Sequence, residues 1–232
     1  MSSESAETWL VSVGAGRWQM AGIRSAQQAG IRVLALDGAS HAPGLATADR
    51  SIVIDISKPD AVIDAIAASR VQIAGAISFA AEVGMRTVGA LRERFSLPGP
   101  GREVCERLTD KTEQRRAWQE ARLTNPRFWR PVLNLEQGID AISDAAGPVI
   151  VKPADSAGSR GITRLDGDAG QQDQKAALER ALSRSQSSRA IVESILPGRE
   201  YTVETFADGE ITHVLAITVK RKVRKVRRGP KL

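Results

Sequence analysis

Lys152 closes an apolar stretch, Pro148 to Lys152, and is followed at once by a loop rich in small residues: Ala154, Ser156, Ala157, Gly158, Ser159 and Gly161. Small side chains let backbone N–H groups approach an anion closely, and a lysine at the root of the loop adds a fixed positive charge, so the segment has the chemistry to hold phosphate. It is not a Walker loop, because its lysine precedes the glycines and a strand rather than a helix follows. Taken alone, a flexible hairpin with a solvated lysine explains the same residues equally well.

Two outlying features change that balance. Asp110-Lys111 lies 41 residues before Lys152 in a charged stretch of helical composition. Glu193 lies 41 residues after it at the end of Ala190-Ile-Val-Glu193, with Leu196 and Glu200 at offsets of three and seven. As a set, and from about Trp9 to Lys220, these residues resemble the ATP-grasp superfamily, the carboxylate ligases that include D-alanine–D-alanine ligase and biotin carboxylase. The resemblance implies that Lys111 and Lys152 contact ATP phosphates, with Ser156, Gly158, Ser159 and Gly161 in a loop closing over them. It implies that Glu193, Ser194, Ile195 and Leu196 form the hinge strand whose backbone reads the adenine edge. Glu200 would then bind the ribose hydroxyls, and Lys220 matches a further phosphate-contacting lysine. These types suit the ligand, since ribose needs an acceptor-only carboxylate and a triphosphate needs cations. The structural alternatives are an exposed helix lysine at 111 and a solvated strand carboxylate at 200.

The implied chemistry is attack of a substrate carboxylate on the γ-phosphate, giving an acyl phosphate that an amine or similar nucleophile displaces. The family uses Mg2+, which needs hard oxygen ligands. Its acidic ligands and a catalytic arginine would fall beyond Lys220, so the sequence assigns no metal ligand and no catalytic residue.

The elements that must position these groups follow from hydropathy. Apolar runs at residues 8–13, 33–36, 51–54 and 73–79 alternate with helical periodicity at 20–26 and 58–70. Short buried strands alternating with amphipathic helices require parallel pairing through crossovers. The fold class expected is therefore α/β, with a small doubly wound parallel-sheet domain over residues 1–98. The Pro/Gly cluster at 97–101 marks a boundary. Beyond it, one charged helical stretch at 102–122, a helix at 135–145, a long helix at 174–184 and strands near 129–132, 148–153, 161–165, 189–193, 200–206 and 211–219 read as α+β. In the family's terms, residues 99–219 form the ATP-binding part of an ATP-grasp domain, its last subdomain incomplete. Asp208-Gly209 predicts a hairpin.

In the first domain, Gly14-x-Gly16 begins a dinucleotide fingerprint with Asp37 at the ribose distance, but Gln19 stands where a third glycine belongs. A tight strand-to-helix turn is the competing reading. The carboxyl ends of parallel strands bind ligands in open sheets. Gly14, Gly16, Gln19, Phe79 and Glu82 are therefore the candidate substrate contacts, against purely structural roles for the glycines and a helix-start role for Glu82.

Composition narrows the class further. The chain has 232 residues, 42% hydrophobic and 26% charged, with one cysteine and two histidines, which excludes an internal disulfide and a zinc site of several Cys and His ligands. Its longest charge-free apolar stretch, Ile73 to Ala81, is far short of the roughly 18–20 residues of a membrane span. The acidic N-terminus does not resemble a secretory signal, and a reducing cytoplasm is the expected compartment. The net charge of +6 arises entirely after residue 219. Eight basic and no acidic residues follow there, leaving 25 basic against 27 acidic in the body. A nucleic-acid or anionic-lipid partner thus rests on the 220–232 tail alone, whose other readings are a disrupted reading frame and solvated charge. An incomplete sheet would leave an uncovered apolar face, so association, such as a homodimer, is expected. The partners otherwise implied are a small-molecule carboxylate and an amine. A noncatalytic nucleotide-binding remnant is the alternative function.

Overall fold

A computed structural model describes residues 8–123 and 126–221. The chain divides into two compact units, Met1–Ser194 and Ile195–Leu232.

The first unit begins with four parallel strands, β1 (Trp9–Val13), β2 (Arg32–Asp37), β3 (Arg50–Val53) and β4 (Ile73–Ile77), ordered β3-β2-β1-β4. Alternation along β2 explains how it is covered on both faces. Leu34 and Leu36 pack with Val62, Ile66, Val88 and Leu91, from α3 (Pro59–Ala68) and α4 (Met85–Arg94). Val33 and Ala35 pack instead with Ile23 and Leu45, from α1 (Met20–Gln28) and the short α2 (Pro43–Thr47). This is the doubly wound domain expected. Helices α2 and α4 are additions to the sequence reading. Strand direction of travel across the sheet reverses between β1 and β4, so a switch-point crevice opens at their carboxyl ends.

After the 97–101 connection, the single charged helix expected over 102–122 is two helices, α5 (Arg102–Thr109) and α6 (Lys111–Glu120). Asp110 separates them. Its backbone is extended and its carboxylate accepts from the amides of Thr112 (2.8 Å) and Glu113 (3.2 Å), so it caps α6 rather than continuing α5. Helical composition runs straight through this point, and only the capping residue reveals the break.

A second sheet follows, β5 (Trp129–Val132), β6 (Val149–Pro153), β7 (Thr163–Leu165) and β8 (Ala190–Ser194), antiparallel and ordered β5-β8-β6-β7. One face, with Val149, Val151 and Val192, packs on α7 (Leu135–Ser143) and α8 (Gln171–Arg184) through Ala141, Ala177, Leu178 and Ala181. The two helices touch closely at Gly138, where a Cβ would lie 2.3 Å from a Leu178 methyl carbon. The opposite face carries Lys152 and Glu193.

The second unit is a hairpin, β9 (Tyr201–Ala207) and β10 (Thr212–Val219), turned at Asp208-Gly209 as its sequence predicts. Asp208 accepts from the amides of Glu210 and Ile211 (3.1 and 2.9 Å), and Gly209 takes a positive φ of +105°. Tyr201, Val203, Ile217 and Val219 are exposed. The basic tail lies, apart from Lys220 and Arg221, outside the described residues. No helix among the described residues is long and apolar enough to cross a membrane.

Candidate nucleotide site

Helix α6 is pinned against the second sheet along its length. Arg189, at the start of β8, donates to the Asp110 carboxylate at 2.5 Å, and the Lys111 amide donates to the Ala154 carbonyl at 2.8 Å. The Lys111 ammonium donates to the Ser156 carbonyl at 2.8 Å. Two of the lysines singled out by sequence thus flank one loop, Lys152 at its root and Lys111 against its backbone. Within the loop, Gly158, Ser159 and Gly161 all have positive φ (+69°, +59° and +77°). At Gly161 a Cβ would also meet the Pro153 ring at 2.8 Å, so glycine is required there on two counts.

One turn beyond Lys111, Arg115 donates to the Glu193 carboxylate through Nε (3.0 Å) and Nη2 (3.4 Å). The Lys152 ammonium pairs with the same carboxylate. Side-chain exposures of 10%, 7% and 12% for Arg115, Glu193 and Lys152 make this a buried cation–anion–cation triad. Arg115 was missed in sequence reasoning, although its i+4 spacing from Lys111 places both on one helix face. Burial pushes the Lys111 ammonium below the usual lysine range; Glu82 opposes this and Lys152 reinforces it. Lys152 is likewise pushed down by burial, with Glu193 opposing and Arg115 reinforcing.

Asp155 is a second residue that sequence gave no reason to choose. Its carboxylate accepts from Ser185 Oγ (2.6 Å) and the amides of Gln186 and Ser187 (both 3.0 Å), and lies 3.6 Å from Arg86. It ties the phosphate-type loop to the chain between α8 and β8.

A cleft of about 880 Å³ opens beside the loop, lined by Gln19 and Glu82 from the β1/β4 crevice and by Asp155, Ser156, Gly158 and Arg160. Of the other candidate substrate contacts, Phe79 packs against Gly22 of α1, and its carbonyl accepts from Gln19 Nε2 at 2.5 Å. Gly14 and Gly16 form the turn after β1, Gly14 with a φ of +108°. Asp37 braces this turn: its two carboxylate oxygens accept from the amides of Ala15 (2.8 Å) and Ala39 (2.9 Å).

In the second unit, Glu200 accepts from the Lys220 ammonium at 2.6 Å and the two residues are also joined by a backbone bond. Ile195 is half-buried, and Leu196 is exposed. Among the described residues no group of three or more acidic, His or Cys side chains is placed to hold a metal ion.

The architecture is thus a parallel α/β domain followed by an antiparallel sheet with two lysines beside a small-residue loop. Residues 145–227 match the family model described as ATP-grasp domain. The fold as a whole matches an L-amino acid ligase from Bacillus licheniformis (18% identity, TM-score 0.74, 94% of this chain and 51% of that one). It also matches an N5-carboxyaminoimidazole synthetase from Staphylococcus aureus complexed with ADP (16%, 0.72, 94% and 56%). A phosphoribosylglycinamide synthetase from Anaerococcus prevotii is similar at 22% identity and a TM-score of 0.62, over 91% and 51%. The resemblance to the ATP-grasp superfamily is therefore met by the family model over residues 145–227, and the fold is shared with these solved structures. The chain spans about half the length of these solved structures. No curated protein matches it in sequence.

Proposed function

We propose that the chain binds ATP through Lys111, Lys152 and the Ser156, Gly158, Ser159 and Gly161 loop, as the nucleotide-binding part of an ATP-dependent ligase. The observation that carries this reading is the placement of two lysines at one left-handed, small-residue loop, Lys152 at its root and Lys111 bonded to its backbone, the loop lying within the ATP-grasp match. Cations of depressed pKa, already desolvated, gain more from an incoming phosphate than solvated ones do.

When bound, ATP supplies a transferable γ-phosphoryl group. In this reading a substrate carboxylate takes it to give an acyl phosphate, and an amine or similar nucleophile completes the ligation. The chain's own residues bind and orient: the lysines neutralise phosphate oxygens, and the loop amides surround them. Backbone groups of Glu193 and Ser194 read the adenine edge. The cleft that reaches Gln19 and Glu82 takes the carboxylate substrate.

The test is thermal unfolding with and without saturating ATP and Mg2+, for wild type beside Lys152→Ala. A ligand at a hundred times its dissociation constant stabilises by about 2.7 kcal/mol. For a chain of this size that is a shift of about 5–11 °C. A shift in wild type that the variant loses is expected; a cooperative transition with no shift would overturn the reading.

A further inference from the structure

Lys152 faces a difficulty as a phosphate ligand. Its ammonium is already paired with a carboxylate, and a closed Lys–Glu pair is neutral and offers an anion nothing. Arg115 removes the difficulty by charge count. It approaches Glu193 with two N–H donors and adds a second positive charge, so the triad carries a net charge of +1. Its guanidinium is also stacked 4.5 Å from the centre of the Trp118 ring, which holds it in place from another side. The pair on Glu193 is unequal in kind. Arginine stays protonated, its fork fits a carboxylate, and it lies at the helix end of the contact, whereas lysine is a single-point donor on a flexible stem beside the loop. Glu193 therefore keeps a partner when Lys152 turns away from it.

We infer that Arg115 is a positioning residue for phosphate binding, holding and neutralising Glu193 so that the Lys152 ammonium is released to the phosphates of a nucleotide. This rests on the ATP-binding reading above. It assigns α6 a double task, presenting Lys111 to the loop directly and freeing Lys152 through Glu193 from one turn further on.

The experiment is calorimetric titration with ATP, ADP and adenosine of wild type, Arg115→Gln, Arg115→Lys and the double variant Arg115→Gln/Glu193→Gln. In Arg115→Gln, Lys152 is quenched by Glu193, so ATP and ADP affinity fall about tenfold or more while adenosine affinity stays within about twofold. Arg115→Lys restores the charge and stays within about threefold of wild type. The double variant removes the carboxylate along with the arginine and binds ATP more tightly than Arg115→Gln alone, a rescue that a merely structural arginine would not give. Equal loss of adenosine and ATP affinity, or a double variant weaker than the single one, would overturn the inference. If Arg115→Gln does not fold, the double variant is read against wild type instead: ATP affinity within about threefold is expected, and a loss of about tenfold or more would overturn the inference. Wild type that binds ATP beside an unaffected Arg115→Gln would overturn the positioning role alone; wild type that binds no nucleotide would overturn the ATP reading and this role with it.

Discussion

The Lys152 ammonium and the Glu193 carboxylate meet across neighbouring antiparallel strands, buried on the sheet face opposite the apolar core, with Arg115 completing the group from α6. Lys152 is diagonal to Glu193, since Glu193 pairs with Ile150 and Lys152 with Ile191. Register therefore fixes the contact, because a slip of one residue would turn Lys152 into the valine core.

The triad has an asymmetric energetic consequence. Removing Lys152 leaves Glu193 paired with Arg115, whereas Glu193→Gln leaves two buried cations facing each other. Breaking a buried ion pair so that charge is left uncompensated costs about 3–5 kcal/mol. Glu193→Gln is thus expected to lower the melting temperature by about 6–20 °C, and Lys152→Met by clearly less. Equal losses in differential scanning calorimetry would contradict the asymmetry.

Depressed lysine pKa values give a second expectation. Folding lowers the pKa of Lys111 and Lys152, so the unfolded chain binds their protons more readily. The resulting penalty is full below the folded values and is relieved as pH rises toward the ordinary lysine range of about 10.4. ATP affinity moves the other way, falling as the same lysines lose charge. Titrations between pH 7 and 10 should show affinity declining at pH values where an ordinary lysine is still fully charged, with a shallower decline in Lys111→Arg. Affinity flat to pH 10 would contradict it.

Most of the scaffold was legible in the sequence because local pattern encodes it. Strands such as β2 and β6 are short apolar runs, and Asp208-Gly209 dictates its own turn. The boundary at Asp110 was hidden, since a capping residue inside a continuous charged stretch breaks a helix without interrupting its composition. The site was legible only in part. Lys152 could be chosen from the small-residue loop it precedes, and Lys111 and Glu193 from the family resemblance, but the joining of Lys152 to Glu193 depends on β6 pairing with β8 across 41 residues. Arg115 and Asp155 act through partners 78 and about 30 residues distant. Such contacts follow from topology, which no window of sequence contains. Asp37 shows the local counterpart: its carboxylate accepts from the nearby amide of Ala39, two residues on, as well as from Ala15 across the sheet.

Packing in the second sheet's core yields a third prediction. A methyl group added at Gly138 would lie 2.3 Å from one Leu178 terminal carbon and 2.7 Å from the other. Leu178 is fully buried between α8 and the sheet, so it has no free space to move into. Although alanine favours helix by up to about 1 kcal/mol over glycine, overpacking costs about 1–3 kcal/mol. Gly138→Ala should therefore lower the melting temperature by a few degrees, and Leu178→Ala should cost less in that background than in wild type, because the added methyl fills part of the space the leucine leaves. A more stable Gly138→Ala would mean the helices separate freely.

Asp155 supplies the last prediction, a test of sign. Burial works to raise its pKa, but the hydroxyl of Ser185, the residues at 186 and 187 and their amides outweigh it and hold the carboxyl below the ordinary range. Its stabilisation is then complete above the unfolded pKa of about 3.9 and is lost only as pH falls through the lower folded value. Asp155→Asn keeps one acceptor oxygen but sets an amide NH2 against donors, leaving a bond unmade at a cost of about 1–3 kcal/mol. At pH 7 the variant should melt about 2–12 °C below wild type. The gap should persist at pH 5 and close only in strong acid. A gap already closed at pH 6 would mean that burial, not hydrogen bonding, governs this carboxylate, and that the loop between β6 and β7 is anchored by a neutral acid.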